Sequence, residues 1–134
     1  VIYLDSCAIV KLITPEPESA AFVHWLNDRP GETIVTSTLA EVEVPRALRR
    51  SAPGVLGVVT SVLSGFVRFE IDGPVRATAA AYLDKHLRTL DAIHLATAEN
   101  LVGSGKSLTA FVTYDKRLAA AVSAAGLPVA APGA

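Results

Sequence analysis

Three of the thirteen acidic residues stand where an acid is costly. Asp5 closes the apolar run "VIYLD" and Asp115 closes "AFVTYD", while Asp91 is bracketed by Leu90, Ala92 and Ile93. A carboxylate in such a setting loses hydration without compensation unless something there pairs with it. Any one of the three is readable as a helix N-cap at a strand-to-helix junction; three together ask for a shared partner. Glu41 and Glu43 fall about 200° apart around a helix, so one of them faces inward, and periodicity alone does not say which. The other acids are ordinary. Glu16, Glu18, Asp28 and Glu32 belong to loops or first helical turns, and Asp72 reads as a helix cap.

Carboxylates converging without a matching set of Cys and His ligands favour hard, oxygen-liganded cations such as Mg²⁺ or Mn²⁺. Those ions suit phosphate chemistry, because they activate water and neutralise charge building on phosphoryl oxygens. Hydrolysis of a phosphodiester is the reaction this arrangement serves best.

The elements that must position these acids alternate along the chain. A strand over Val1–Leu4 runs into the helical "SCAIVKLIT", which "PEP" stops. A helix over Glu18–Asn27 presents Phe22, Val23 and Leu26; "TIVTS" is a second strand; "TLAEVEVPRALRR" is a helix with Leu39, Val42 and Leu48 on its apolar face. Pro45 predicts a kink or a late start there. "APGVLGVVTSVLSG" reads as a further helix, with a strand as the alternative its β-rich composition leaves open, and "FVRFEI" as a third strand. "DGPVRATAAAYLDKHL" and "LDAIHLATAENLV" are helices, the second ended by "GSG". "LTAFVTYD" repeats the opening pattern of apolar run and aspartate, "KRLAAAVSAAG" is a helix closed by Gly126, and "LPVA" is a last short strand. The alternation predicts a three-layer α/β sandwich with a mainly parallel central sheet, joined by right-handed crossovers. Ligands of such sheets lie beyond the carboxyl ends of the strands, where Asp5 and Asp115 sit.

The 134 residues suit one domain, 1–134, with an interior built chiefly from Ala, Val, Leu and Ile, since 51% of the chain is apolar and only 6% aromatic. No apolar run reaches the length of a membrane span, and no signal-peptide pattern opens the chain, which predicts a cytoplasmic protein away from membranes. Cys7, the one cysteine, has no partner for a disulfide or a zinc site and reads as a small buried hydrophobe. A net charge of −1 argues against a simple electrostatic clamp on nucleic acid. Setting four acids aside as ligands leaves a small basic surplus on the rest.

The segments "YLDSCAIVKL", "VTSTLAEVEVPRALRR", "LDAIHLATA" and "FVTYDKRL", in this order, resemble the PIN-domain family, and more closely the VapC toxins of bacterial toxin–antitoxin pairs. The resemblance runs from the first residue to about Gly126. It implies a PIN-like fold and an endoribonuclease toxin that uses Mg²⁺, or Mn²⁺, to cut structured RNA such as transfer or ribosomal RNA. Residue by residue, it carries the acidic ligands and catalytic positions onto Asp5, Glu43, Asp91 and Asp115, choosing Glu43 over Glu41. Ser6 and Thr113 resemble hydroxyls that line such pockets, with turn hydrogen bonding as the equal alternative. It further implies a homodimer and a VapB-like antitoxin that puts a basic side chain into the carboxylate cluster.

His94, one helical turn after Asp91, reads as a hydrogen-bonded packing histidine; His24 and His86 read as surface residues. Arg46, Arg49, Arg50, Lys11, Lys116 and Arg117 adjoin the acidic motifs and are candidates for holding RNA phosphates, against solvated surface charge as the simpler account of any single one. Two competing functions are set against the nuclease. A noncatalytic RNA-binding or assembly module on the same fold would gain from losing acids near phosphate. A haloacid-dehalogenase-like phosphatase would want a second Asp where Cys7 stands.

Overall fold

The structure, a computed structural model, describes residues 1–134. Its centre is a five-stranded sheet of β1 (Ile2–Leu4), β2 (Ile34–Ser37), β3 (Val67–Phe69), β4 (Ala110–Val112) and β5 (Val129–Ala130), in the order β3-β2-β1-β4-β5. Every pairing is parallel. The α/β expectation therefore holds, with a sheet parallel throughout.

Seven α-helices flank it: α1 (Ser6–Ile13), α2 (Ser19–Asn27), α3 (Ala40–Ser51), α4 (Val59–Ser64), α5 (Gly73–Ala81), α6 (Thr89–Gly103) and α7 (Lys116–Ala124). The two-residue period of β1 decides which go where. Ile2 and Leu4 face Ala8, Ile9, Phe22, Val44, Leu48 and Leu63, so α1 to α4 form one outer layer. Tyr3 faces the other way, among Leu95, Ala98, Phe111, Leu118 and Val122, so α6 and α7 form the second. The α5 helix lies along α6 and is tied to it by Asn100 Nδ2 donating to Thr78 Oγ1 at 3.1 Å.

The sheet order reverses at β1. From there the chain first grows to one side through β2 and β3, then returns to the other through β4 and β5. The crevice at such a switch point, beyond the carboxyl ends of β1 and β4, is where ligands bind in open α/β sheets. The register pairs Leu4 with Val112, so the chain just past β1 lies beside the chain just past β4. Asp5 and Thr113 become neighbours by this alone.

Several local expectations are corrected. The helix read over "TLAEVEVPRALRR" holds with Pro45 inside it, and the late start is corrected, since α3 begins at Ala40. The turn that carries Glu43 is closed before the ring, by Glu43 N–H on the Leu39 carbonyl at 3.0 Å. Val42 and Val23 are exposed, and the buried face of α3 is Ala40, Val44 and Leu48. The segment after α3 is a 3-10 turn, Pro53–Val58, before α4, with Gly54 and Gly57 weakening the α-helix there. The α5 helix is capped by Asp72, whose Oδ1 accepts from Val75 N–H at 3.0 Å, but it ends at Ala81 instead of reaching Leu87. Tyr82 turns extended, and Asp84 folds the following residues by accepting from His86 N–H at 2.8 Å. Cys7 is exposed, because the buried stripe of α1 passes through Ala8 and Ile9.

Candidate active site

Asp5 is the buried member of the site, 3% exposed. Its backbone is extended and its Oδ1 caps α1, accepting from Ala8 N–H at 2.8 Å. Its Oδ2 accepts from the Thr113 hydroxyl at 2.5 Å. Burial raises its pKa above the ordinary carboxylate value, and the charge of Asp91 adds to the rise, against the opposing pull of His94, Thr113 and the Ala8 amide.

Thr113 also joins Asp5 to Asp115, since its hydroxyl oxygen accepts from Asp115 N–H at 3.1 Å. Asp115 caps α7 through Oδ1, which accepts from Arg117 N–H at 2.8 Å and Leu118 N–H at 3.0 Å. Its second oxygen is uncommitted to the helix. The capping reading is thus correct for Asp5 and Asp115, and it is corrected for Asp91, which lies inside the first turn of α6 with Arg88 in the cap position.

Glu43 reaches the same edge from α3. Its Oε1 accepts from the Ser6 hydroxyl at 2.7 Å and lies 2.8 Å from His94 Nε2. These donors hold its pKa below the ordinary value even though burial, the largest influence, pushes it up. Glu41 turns away and pairs with Arg68 Nη1 at 3.2 Å. Asp91, in the first turn of α6, is half-buried. Burial and then the charges of Asp115 and Glu43 raise its pKa, with His94 and Arg88 opposing.

Cys7 reports on the whole cluster. Crowding around its sulfur, followed by the fields of Asp5, Glu43, Asp91 and Asp115 in that order, pushes its thiol up to about 12. All four acids shift that thiol in the same direction, from positions up to 110 apart in the chain, as Asp5 and Asp115 are.

The residue that sequence reasoning undervalued is His94. It is packed as expected, 1% exposed, but both ring nitrogens are engaged within the site's own framework. Nδ1 lies 2.7 Å from the Tyr3 hydroxyl, and Nε2 meets Glu43 Oε1 and, at 3.2 Å, Ser6 Oγ. Tyr3 was legible only as an apolar strand residue. A tyrosine in place of a plain hydrocarbon at the centre of β1 is the one signal that would have singled it out.

The donor set available to a cation is oxygen alone, which suits Mg²⁺ or Mn²⁺. No three acidic, His or Cys groups are gathered closely enough to clasp one ion together. Mg²⁺ does not need three, because it keeps several waters and takes one or two carboxylates plus phosphate oxygens. Burial and, after it, repulsion from Asp115 and Glu43 raise Asp91, and a cation would offset the repulsion. The residues fit the ion.

Residues 2–123 match the PIN domain family. The chain belongs to the PIN-domain family. This PIN domain is 54% identical over 132 residues to Ribonuclease VapC35 of Mycobacterium tuberculosis, covering 98% of this chain and 97% of that one. It is 39% identical to Ribonuclease VapC47 of the same species over 136 residues, covering 99% and 98%. Among solved structures it is similar to the crystal structure of FitAcB from Neisseria gonorrhoeae, with a TM-score of 0.72 and 22% identity over 96% of each chain, a likeness of fold. Within the family the chain is of the VapC type.

Proposed function

We propose that this VapC-type ribonuclease hydrolyses phosphodiester bonds of structured RNA, of the transfer or ribosomal kind, with Mg²⁺ or Mn²⁺ bound directly by one or two of the carboxylates Asp5, Glu43, Asp91 and Asp115 and through its waters by the others. The observation that supports the reading is that Asp5 and Asp115, past β1 and β4, are joined through Thr113, that Glu43 meets Ser6 beside Asp5, and that Asp91 stands one turn before the His94 that meets Glu43. When bound, the cation supplies an activated water and neutralises charge on the phosphoryl oxygens.

The chain's own side chains supply the rest. Ser6 and Thr113 donate to carboxylates and fix their rotamers. Exposed Arg46, Arg49 and Arg50 on α3 carry no ion pair and are placed to hold RNA phosphates. Lys11 is committed elsewhere: it bridges Glu16 at 3.3 Å and Glu18 at 2.9 Å, and lies 4.7 Å from the centre of the Tyr114 ring.

Control falls to a VapB-like antitoxin whose arginine enters the acidic cluster, since a guanidinium fork pairs with carboxylates much as a metal does. The toxin itself is a homodimer in this reading. One experiment tests both parts. Purified protein is incubated with transfer and ribosomal RNA, with Mg²⁺ or with chelator, alone and with the co-purified partner. Cleavage should require the metal and cease with the partner. Glu43→Gln should abolish it and Glu41→Gln should leave it within about threefold, as expected for a surface pair of small energetic weight. Cleavage that survives chelator, or equal loss in both variants, defeats the assignment.

A further inference from the structure

We propose that Tyr3 and His94 are a buried positioning pair that turns Glu43 toward the cation. The inference rests on reading Glu43 as a ligand. It concerns what holds that ligand, and it starts from an anomaly in the core. Tyr3 lies in the central strand at 0% exposure, stacked on Phe111 with ring centres 4.7 Å apart. A buried hydroxyl in that layer is tolerable only with a partner. His94 is the partner, at 2.7 Å, and its ring meets Tyr3 edge-on.

Hydrogen bookkeeping then fixes a direction. Ionised Glu43 can only accept, so Oε1 must receive its hydrogens from Ser6 Oγ and from His94 Nε2. A neutral imidazole donates from Nε2 only when Nδ1 is the acceptor. Tyr3, donating its O–H to Nδ1, selects that tautomer from inside the sheet. The chain Tyr3 to His94 to Glu43 therefore runs one way, from the core to the surface. Two donors occupy Oε1, which leaves Oε2 as the oxygen free to meet a cation. Without them, a glutamate on a half-exposed helix turn samples rotamers that point to solvent.

Outer hydrogen-bond partners of metal ligands typically change metal affinity or activity by about 10–100-fold when removed. Titrating the purified chain with Mn²⁺ alone, read by calorimetry, tests this without reference to cleavage. Tyr3→Phe keeps the ring and its stacking and deletes only the O–H, so affinity should fall by about 10-fold or more. His94→Asn, whose amide reaches the Nδ1 position but not Nε2, should fall by as much or more, whereas His94→Gln, which offers an N–H near Nε2, should stay within about threefold.

Wild-type affinity in Tyr3→Phe and His94→Asn would overturn the proposal. Should either variant misfold by circular dichroism, the imidazole nitrogen resonances of the unmodified chain decide instead: a proton on Nε2 alone is expected, and a proton on Nδ1, with or without one on Nε2, would overturn it. Glu43→Gln separates the two levels. If that change leaves Mn²⁺ binding untouched, the reading of Glu43 as a ligand is wrong and the positioning role goes with it; if it abolishes binding while Tyr3→Phe and His94→Asn do not, only the positioning role is lost.

Discussion

Asp5 divides its oxygens between folding and the site, one on the Ala8 amide and one on the Thr113 hydroxyl. Its charge is the costly part, since burial raises its pKa and Asp91 adds to the rise. Asp5→Asn keeps an oxygen for the cap, and Asn is among the better N-caps. It removes the buried charge. The variant should therefore melt at the same temperature as the parent or a few degrees higher, while RNA cleavage is lost, a trade of stability for activity. Asp5→Ala, which also loses the cap, should be destabilised by about 1 kcal/mol. Thermal melts of both variants check this, and a large loss of stability in Asp5→Asn would mean that the ionised form holds the fold together. Residues of this kind were legible because an acid at the end of an apolar strand contradicts its surroundings. The roles of His94 and Tyr3 were not. Their bonds join positions 51 and 91 apart, and no local pattern reports a contact between distant residues.

The α3 helix is the element with most to explain, because it carries both Glu43 and the free cations. Arg46, Arg49 and Arg50 are spaced i, i+3 and i+4, so they share a face, and that face begins one turn beyond Glu43. All three are exposed, near the helix C-terminus where cations suit the dipole. Replacing each with Ala should weaken binding of a noncleaved RNA by a similar factor whatever its sequence, and lower the slope of log affinity against log salt by about one per arginine. Anisotropy titrations across a salt series measure it. Lys11→Ala should leave that slope alone, because its charge is already spent on Glu16 and Glu18; an unchanged slope in the arginine variants would place RNA on another face. Element order and type were readable from apolar periodicity, and the ends were less so. The period runs on from α5 into "YLDKHL", yet the chain leaves the helix at Tyr82, whose hydroxyl bonds to Glu99 on α6 at 2.9 Å, a tertiary contact that outweighs helical propensity.

Across the whole molecule, the sheet order makes one edge acidic and fixes how stability responds to pH. Asp5 and Asp91 have raised pKa values, so the fold favours their protonated forms. Without a cation, their contribution is best at acid pH and worsens as the pH rises from about 4 through their shifted values. Glu43 runs the other way: its lowered pKa gives stability above the ordinary value, lost as the pH falls through the folded one. The two raised acids set the sign of the metal effect. A divalent cation binds the charged forms, so Mg²⁺ or Mn²⁺ at about a hundredfold excess over its dissociation constant should add about 2.7 kcal/mol at neutral pH. For a chain of this size that is roughly 10 °C in Tm. The gain should shrink toward zero as the pH falls through the raised pKa values of Asp5 and Asp91, where those acids take up protons and release the ion. Asp91→Asn removes one of the repelling charges, so it should raise the metal-free Tm at neutral pH and reduce the gain from metal. Melting curves at several pH values, with and without the cation, contain the whole test: a metal-induced shift that is the same at acid and neutral pH would mean that the ion binds somewhere other than these carboxylates.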